Sequence, residues 1–303
     1  MNAEKVNDEL SGKVHEWLSR EGYPLEYYAA HVFRSAGFDV RQGAFAPNEG
    51  GPTREIDVLS SISRSEPKTP LVRAYNVIEC KWSKEKPWVV FTAQTSRKSS
   101  SAQIAQTIGS ELAQAGMYLS AGDKVLQGLE LFQSPREPGF AGRQALGRES
   151  DVFYNTLRSV SGAATKTASR YSAYRGKGKA PKSAVVAFPV VLIDGLLFDA
   201  FYDDKDDCLS VRRSEHSRIF WRGEGTFSIS IDVVTKEGLA GFARRRADEM
   251  RVLVEHLFER SRQLHECYHG DRTVDSLNVT SASTGMAARP AFLGLLRRRE
   301  RER

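Results

Sequence analysis

Tyr75-Asn76-Val77-Ile78-Glu79-Cys80-Lys81-Trp82 is an apolar run that closes on a charged triplet. Its β-branched and aromatic residues favour an extended strand. A strand alternates its side chains, so Glu79 and Lys81 share one face of a sheet while Cys80 points away. Upstream, Arg54-Glu55-Ile56-Asp57-Val58-Leu59 has the same character and carries a carboxylate at Asp57. If the two runs pair, Asp57 joins Glu79 and Lys81 at one end of the sheet. The fold is therefore read outward from this pair of strands.

Strands are expected over residues 38–45, 54–62 and 71–82. The connections between them, Pro47-Asn48-Glu49-Gly50-Gly51-Pro52 and Ser65-Glu66-Pro67-Lys68-Thr69-Pro70, are rich in turn formers, so an antiparallel meander is the simplest arrangement. Two helices precede the meander. The first covers residues 7–19, with Leu10, Val14, Trp17 and Leu18 on one stripe. The second starts near Pro24, carries Glu26 and is closed by Gly37.

Downstream, residues 87–93 read as a fourth strand and residues 101–119 as one helix using Ile104, Ile108, Leu112 and Ala115. Ser150 caps a further helix, which leads into a basic loop at 175–182. Residues 184–192 are nearly all apolar, as for a strand buried on both faces. Asp194-Gly195 then reads as a hairpin turn returning through residues 196–202. A strand over 227–234 precedes a long amphipathic helix over 236–264, and the chain after His269 has little pattern.

Composition sets the outer bounds. The chain has 303 residues, 40% hydrophobic and 27% charged, enough for a substantial core. No apolar run reaches membrane-spanning length, and the polar start lacks a secretory signal. Three widely spaced cysteines, Cys80, Cys208 and Cys267, offer neither a disulfide framework nor a paired zinc motif, which suits a reducing cytoplasm. A net charge of +6 suits a polyanionic partner without proving one.

The order of a helix with Glu26, a strand, a strand with Asp57, a strand with Glu79-Cys80-Lys81 and then a helix resembles the PD-(D/E)xK nuclease superfamily, the restriction-endonuclease-like proteins. The motif resemblance covers roughly residues 20–120, with a less specific match at 184–202. It implies an α/β fold: a mixed central β-sheet flanked by helices, with a restriction-endonuclease-like core over residues 1–235 and a C-terminal helical extension over 236–303. It also implies magnesium- or manganese-dependent cleavage of DNA. Asp57 matches the first acidic metal ligand, Glu79 the second and Lys81 the active-site lysine. Glu26 matches a helix glutamate that supplements the metal shell directly or through water. Ile56 stands where the name-giving proline would be, which weakens the sequence match without touching the chemistry.

That chemistry also follows from the residue types. Mg²⁺ prefers oxygen ligands and keeps several waters, so one or two carboxylates and a backbone carbonyl such as that of Cys80 suffice. Lys81 can orient a water, stabilise developing charge, or act as a base. Against this, a single ExK triplet is commonly a solvated surface pair. Asp57 between apolar neighbours, with Glu26 before it, tips the balance.

Other signals compete. His265-Glu266-Cys267-Tyr268-His269 matches HExxH literally, yet a zinc site needs a third ligand. Arg244-Arg245-Arg246 reads as a solvated face that would touch phosphates rather than bases. Trp82, Trp88 and Trp221 read as core before they read as base-stacking groups. Gln94, Gln103 and Gln106 follow the triplet without a clear role. Neither GxxxxGK[ST] nor GxSxG occurs, so ATP-driven translocation would need another subunit.

The expected protein is a cytoplasmic, metal-dependent deoxyribonuclease acting in restriction or anti-phage defence. DNA is its partner, with a homodimer and a defence-system subunit as further expectations. The alternatives are a DNA repair or recombination nuclease, and an inactive nuclease fold that binds DNA.

Overall fold

The computed structural model describes residues 3–46, 54–83, 86–94, 97–146, 152–172, 180–222, 228–277 and 290–302. Helices α1 (Ala3–Arg20) and α2 (Tyr23–Ser35) lead into strands β1 (Asp39–Ala46), β2 (Arg54–Arg64), β3 (Leu71–Trp82) and β4 (Trp88–Thr92). Helices α3 (Ser100–Ala105), α4 (Glu111–Leu119) and α5 (Lys124–Gly128) follow, then β5 (Gly139–Gln144) and α6 (Val152–Ser169). Strands β6 (Ser183–Asp194), β7 (Leu197–Asp203), β8 (Cys208–Ser214), β9 (His216–Trp221) and β10 (Ile229–Thr235) precede α7 (Leu239–His269) and α8 (Ala291–Arg301).

Among the described residues the ten strands form one mixed sheet, in the order β1-β2-β3-β6-β10-β9-β5-β4-β7-β8. The expected meander forms: β1 pairs antiparallel with β2, and β2 with β3. Gly37 closes α2 with a left-handed φ of +92, the conformation that favours glycine at a helix end. Strand β6 then runs parallel to β3 on one side and to β10 on the other. A parallel neighbour can be reached only by a crossover, which the chain makes through α3 to α6. Both faces of β6 are covered, which explains its unbroken apolar sequence.

Two apolar layers enclose the sheet. On one face, Val58 of β2 and Val72, Ala74 and Ile78 of β3 pack with α2, α4, α7 and α8. On the other, Tyr75 and Val77 of β3 pack with Phe153, Leu157, Val160 and Ala164 of α6. The alternation in β3 thus sends neighbouring residues into different layers. No helix among the described residues is long and apolar enough to cross a membrane.

Several local expectations change. The helix expected over 101–119 is interrupted, because residues 106–110 pass along β6: Ala187 N–H donates to Ile108 O and Ser110 N–H to Val185 O. Strand β7 does not fold back on β6, whose two edges are already occupied by β3 and β10. It pairs instead with β4 and β8. At Gly195 a Cβ would lie 2.5 Å from the Ser83 carbonyl oxygen, so close backbone approach is what requires glycine there. The stripe of α1 forms but faces solvent: Leu10, Val14 and Trp17 are 57%, 47% and 53% exposed. After His269, α8 buries Phe292, Leu293 and Leu296, where no helix is expected. The turn at 47–52, the cap at Ser150 and most of the basic loop at 175–182 lie outside the described residues.

Candidate active site

The β2–β3 ladder runs from Arg64 opposite Val72 to Val58 opposite Ile78. One step further the Asp57 side chain takes over, and its Oδ2 accepts the Cys80 backbone N–H at 2.7 Å. On its other edge β3 stays paired with β6 as far as Trp82 opposite Asp194. In a strand the N–H and C=O of one residue point to the same edge. The Cys80 carbonyl therefore faces the side where Asp57 lies. Gly43 of β1 falls level with Asp57 and has a left-handed φ of +59, which favours glycine there.

Lys81 Nζ donates to Glu79 Oε1 at 2.6 Å, and both side chains are partly buried. Ser159 Oγ of α6 lies 3.5 Å from Glu79 Oε2, long for a hydrogen bond but pointing at the same carboxylate. Glu26 occupies the first turn of α2 and is half-buried. Burial pushes its carboxyl up to about 7, aided by the negative charges of Asp57, Glu55 and Glu79 and opposed by Lys81. Asp57 is pushed up to about 6, again mainly by burial; the Cys80 amide works against the rise, while Glu79 adds to it. The four residues taken from the sequence thus lie within electrostatic reach of one another.

Glu55 was not among them. It precedes Asp57 by two residues on β2, and its charge acts on both Glu26 and Asp57. Its nearness in the same run was the signal available. Ser159 had none, because only the crossover brings α6 to the triplet. The Cys80 thiol is held well above its usual range by burial and by Asp57, Glu26 and Glu79, so it stays protonated and is no nucleophile. Lys236, just after β10, reaches Asp194 Oδ2 at 3.2 Å and lies over the Tyr28 ring, beside the same end of the sheet.

The competing signals separate. Trp88 is buried, whereas Trp82, next to Lys81, is 53% exposed. Gln103 is consumed by the Phe132 and Lys98 carbonyls and the Ser230 hydroxyl. Arg246 is no solvated charge: it is buried and paired with Asp232, which also binds Arg218 Nε and His216 Nε2 at 2.9 Å and 2.8 Å. His265 and His269 approach within 3.4 Å through their Nε2 atoms. Glu266, however, is paired with Arg262 and Arg272. Among the described residues no three His, Cys, Asp or Glu side chains form a ready-made metal cage, there or at Asp57 and Glu79.

A cavity of about 420 Å³ lies elsewhere, lined by Glu137, Asp199, Arg212, His216 and Arg218 among others, and shares no residue with the carboxylate cluster. A scan against protein-family models, a search of curated proteins and a search of solved structures find no match to the chain.

Proposed function

We propose that the protein is a divalent-metal-dependent deoxyribonuclease that hydrolyses phosphodiester bonds of DNA. The observation that carries the reading is the Asp57 carboxylate seated on the Cys80 amide, beside the Glu79–Lys81 pair. The run of α2 and the β1–β3 meander, with helices following β4, supports the element order on which the restriction-endonuclease-like resemblance rests. A cytoplasmic role in defence against foreign DNA belongs to this reading, and rests on the resemblance alone.

The donors fit a hard cation. Asp57, Glu79 and the Cys80 carbonyl supply oxygen, with Glu26 alongside, and the protonated thiol offers no soft ligand. Mg²⁺ is bound by one or two carboxylates plus waters and substrate phosphate rather than by a full protein cage, so the lack of a closed site agrees with it. Burial, and after it the neighbouring carboxylates, raise the proton affinity of Asp57 and Glu26, and a bound cation would favour their charged forms instead. When bound, Mg²⁺ or Mn²⁺ supplies Lewis acidity at the phosphate and lowers the pKa of water.

The chain's own groups do the rest. Lys81 commits one N–H to Glu79 and keeps two for an attacking water or a phosphate oxygen. Asp57 is held in place by a backbone group rather than a mobile side chain, so its carboxylate is preorganised. Exposed Trp82 beside the triplet offers an aromatic surface to a nucleotide.

Plasmid and linear DNA incubated with Mg²⁺ or Mn²⁺ should be cleaved by the wild type and left intact by Asp57→Ala and Lys81→Ala. Equal cleavage by all three would sink the assignment. Salt-sensitive DNA binding without cleavage would favour an inactive binding module instead.

A further inference from the structure

The sheet ends in a strand whose free edge matches itself. Strand β8 pairs with β7 on one side through seven consecutive residues without a bulge, and no described strand covers its other side. Such an edge presents unpaired backbone N–H and C=O groups and is ordinarily blunted by a bulge, a proline, charged side chains or a cover. Strand β8 has neither a proline nor a register shift, and its charges, Arg212 and Arg213, sit together at one end. It also exposes Leu209 and Val211, at 72% and 64%, beside Tyr202 of β7 at 58%; Tyr202 is the direct neighbour of Leu209. Contiguous exposed apolar residues on a sheet mark a contact surface.

We propose that β8 pairs antiparallel with β8 of a second copy of this chain, about a two-fold axis at Ser210. That register follows from the sequence Asp206-Asp207-Cys208-Leu209-Ser210-Val211-Arg212-Arg213-Ser214. With Ser210 opposite itself, Leu209 faces Val211 of the second copy and Cys208 faces Arg212. Arg213 reaches the acidic turn that precedes β8, where Asp207 has a φ of +50 and accepts a hydrogen bond from the Tyr202 hydroxyl. Symmetry repeats each pair. On one face this gives two apolar cross-strand pairs, with an arginine brought beside an acidic turn at each end. Moving the axis to Val211 would set Arg213 against Leu209 and carry the acidic turn toward Glu215, losing both matches. The acidic turn Asp203-Asp204-Lys205-Asp206-Asp207 and the Arg212-Arg213 pair stand at opposite ends of the edge, as an isologous contact requires. The carboxylate cluster lies toward the far end of the sheet order and stays open. Pairing at β8 is independent of the chemistry assigned to that cluster.

Directly opposed residues of antiparallel strands have Cα atoms about 4.5–5.5 Å apart, inside the disulfide range of about 4.4–6.8 Å. In a Cys208→Ser background, Ser210→Cys should therefore oxidise to a covalent dimer. Val211→Cys is more exposed but lies diagonal to its own copy, about 7–8 Å away, and should cross-link poorly. Sedimentation of the wild type should show a concentration-dependent dimer. Arg213→Glu, which brings a like charge to the acidic turn of the other copy twice, should weaken it by about tenfold. A wild type that stays monomeric, or a dimer that Ser210→Cys fails to trap, overturns the surface. Faster trapping at 211 than at 210 overturns the register. Circular dichroism of each variant separates lost association from lost folding.

Discussion

Replacing Asp57 by Asn should remove cleavage and, at the same time, stabilise the metal-free protein at alkaline pH. In the fold the Asp57 carboxyl moves from 3.8 to about 6, mainly through burial. At about 1.4 kcal/mol for each tenfold change in proton affinity, the charged carboxylate costs the fold on the order of 3 kcal/mol. Partial solvent access trims that to roughly 2 kcal/mol. The sign follows from proton binding. The folded state holds the Asp57 proton more tightly than the unfolded chain, so stability is full below the unfolded value and is lost as pH rises through about 6. Glu26 acts in the same direction through about 7. The amide introduced by Asp57→Asn would keep an acceptor for the Cys80 N–H but carry no charge to desolvate. Urea unfolding from pH 3 to 8.5 with chelator should therefore show a stability difference between variant and wild type near zero at the acid end, below the unfolded value of 3.8. The difference should grow to about 2 kcal/mol by pH 8. Mg²⁺ should narrow the gap by stabilising the wild type alone. A difference that stays flat across this range would refute the account of Asp57 as a desolvated, charge-crowded carboxylate.

Lys81→Ala should lower cleavage by about 10²-fold or more, the usual loss of one preorganised donor, with little change in the urea midpoint. A parallel loss of stability would show a structural lysine instead. The apparent affinity for Mg²⁺, read from its concentration dependence in the cleavage assay, should rise between pH 5.5 and 8 as Asp57 and Glu26 release protons near 6 and 7; a flat profile would count against both as ligands. Asp232→Ala strands the buried guanidiniums of Arg218 and Arg246 and should cost about 3–5 kcal/mol in urea unfolding, so a loss below about 1 kcal/mol would contradict the network.

What could be read in the chain depended on how local the physics was. The β1–β3 meander and the Asp57, Glu79 and Lys81 positions were legible because alternation and turn formers act over a few residues. Strand β6 was legible from its unbroken apolar run, a direct result of being covered on both faces. Strand β8 was not, since it is exposed nearly throughout and its apolar residues lie on the open face. The break between α3 and α4 was hidden because Ile108 keeps helical spacing while its backbone serves β6. Arg246 looked like one of three surface arginines; its partner Asp232 lies on a strand that the sequence does not tie to it. Pairings between distant segments leave no periodic trace in either one.

The position of β6 has a consequence for the time course of folding. Asp57, Glu79 and Lys81 belong to one hairpin and can meet as soon as residues 54–82 have left the ribosome. The strand that fixes the other edge of that hairpin spans Ser183–Asp194, so closing the contact must wait for a long stretch of chain. Loop closure over such a separation is slow compared with hairpin formation. The carboxylates should then gather early on a strand pair that gains its rigid backing late. Pulsed hydrogen exchange should find the β2–β3 amides protected before those shared by β3 and β6. Competence of the site would be set by the last partner to arrive, not by the residues that carry its charge.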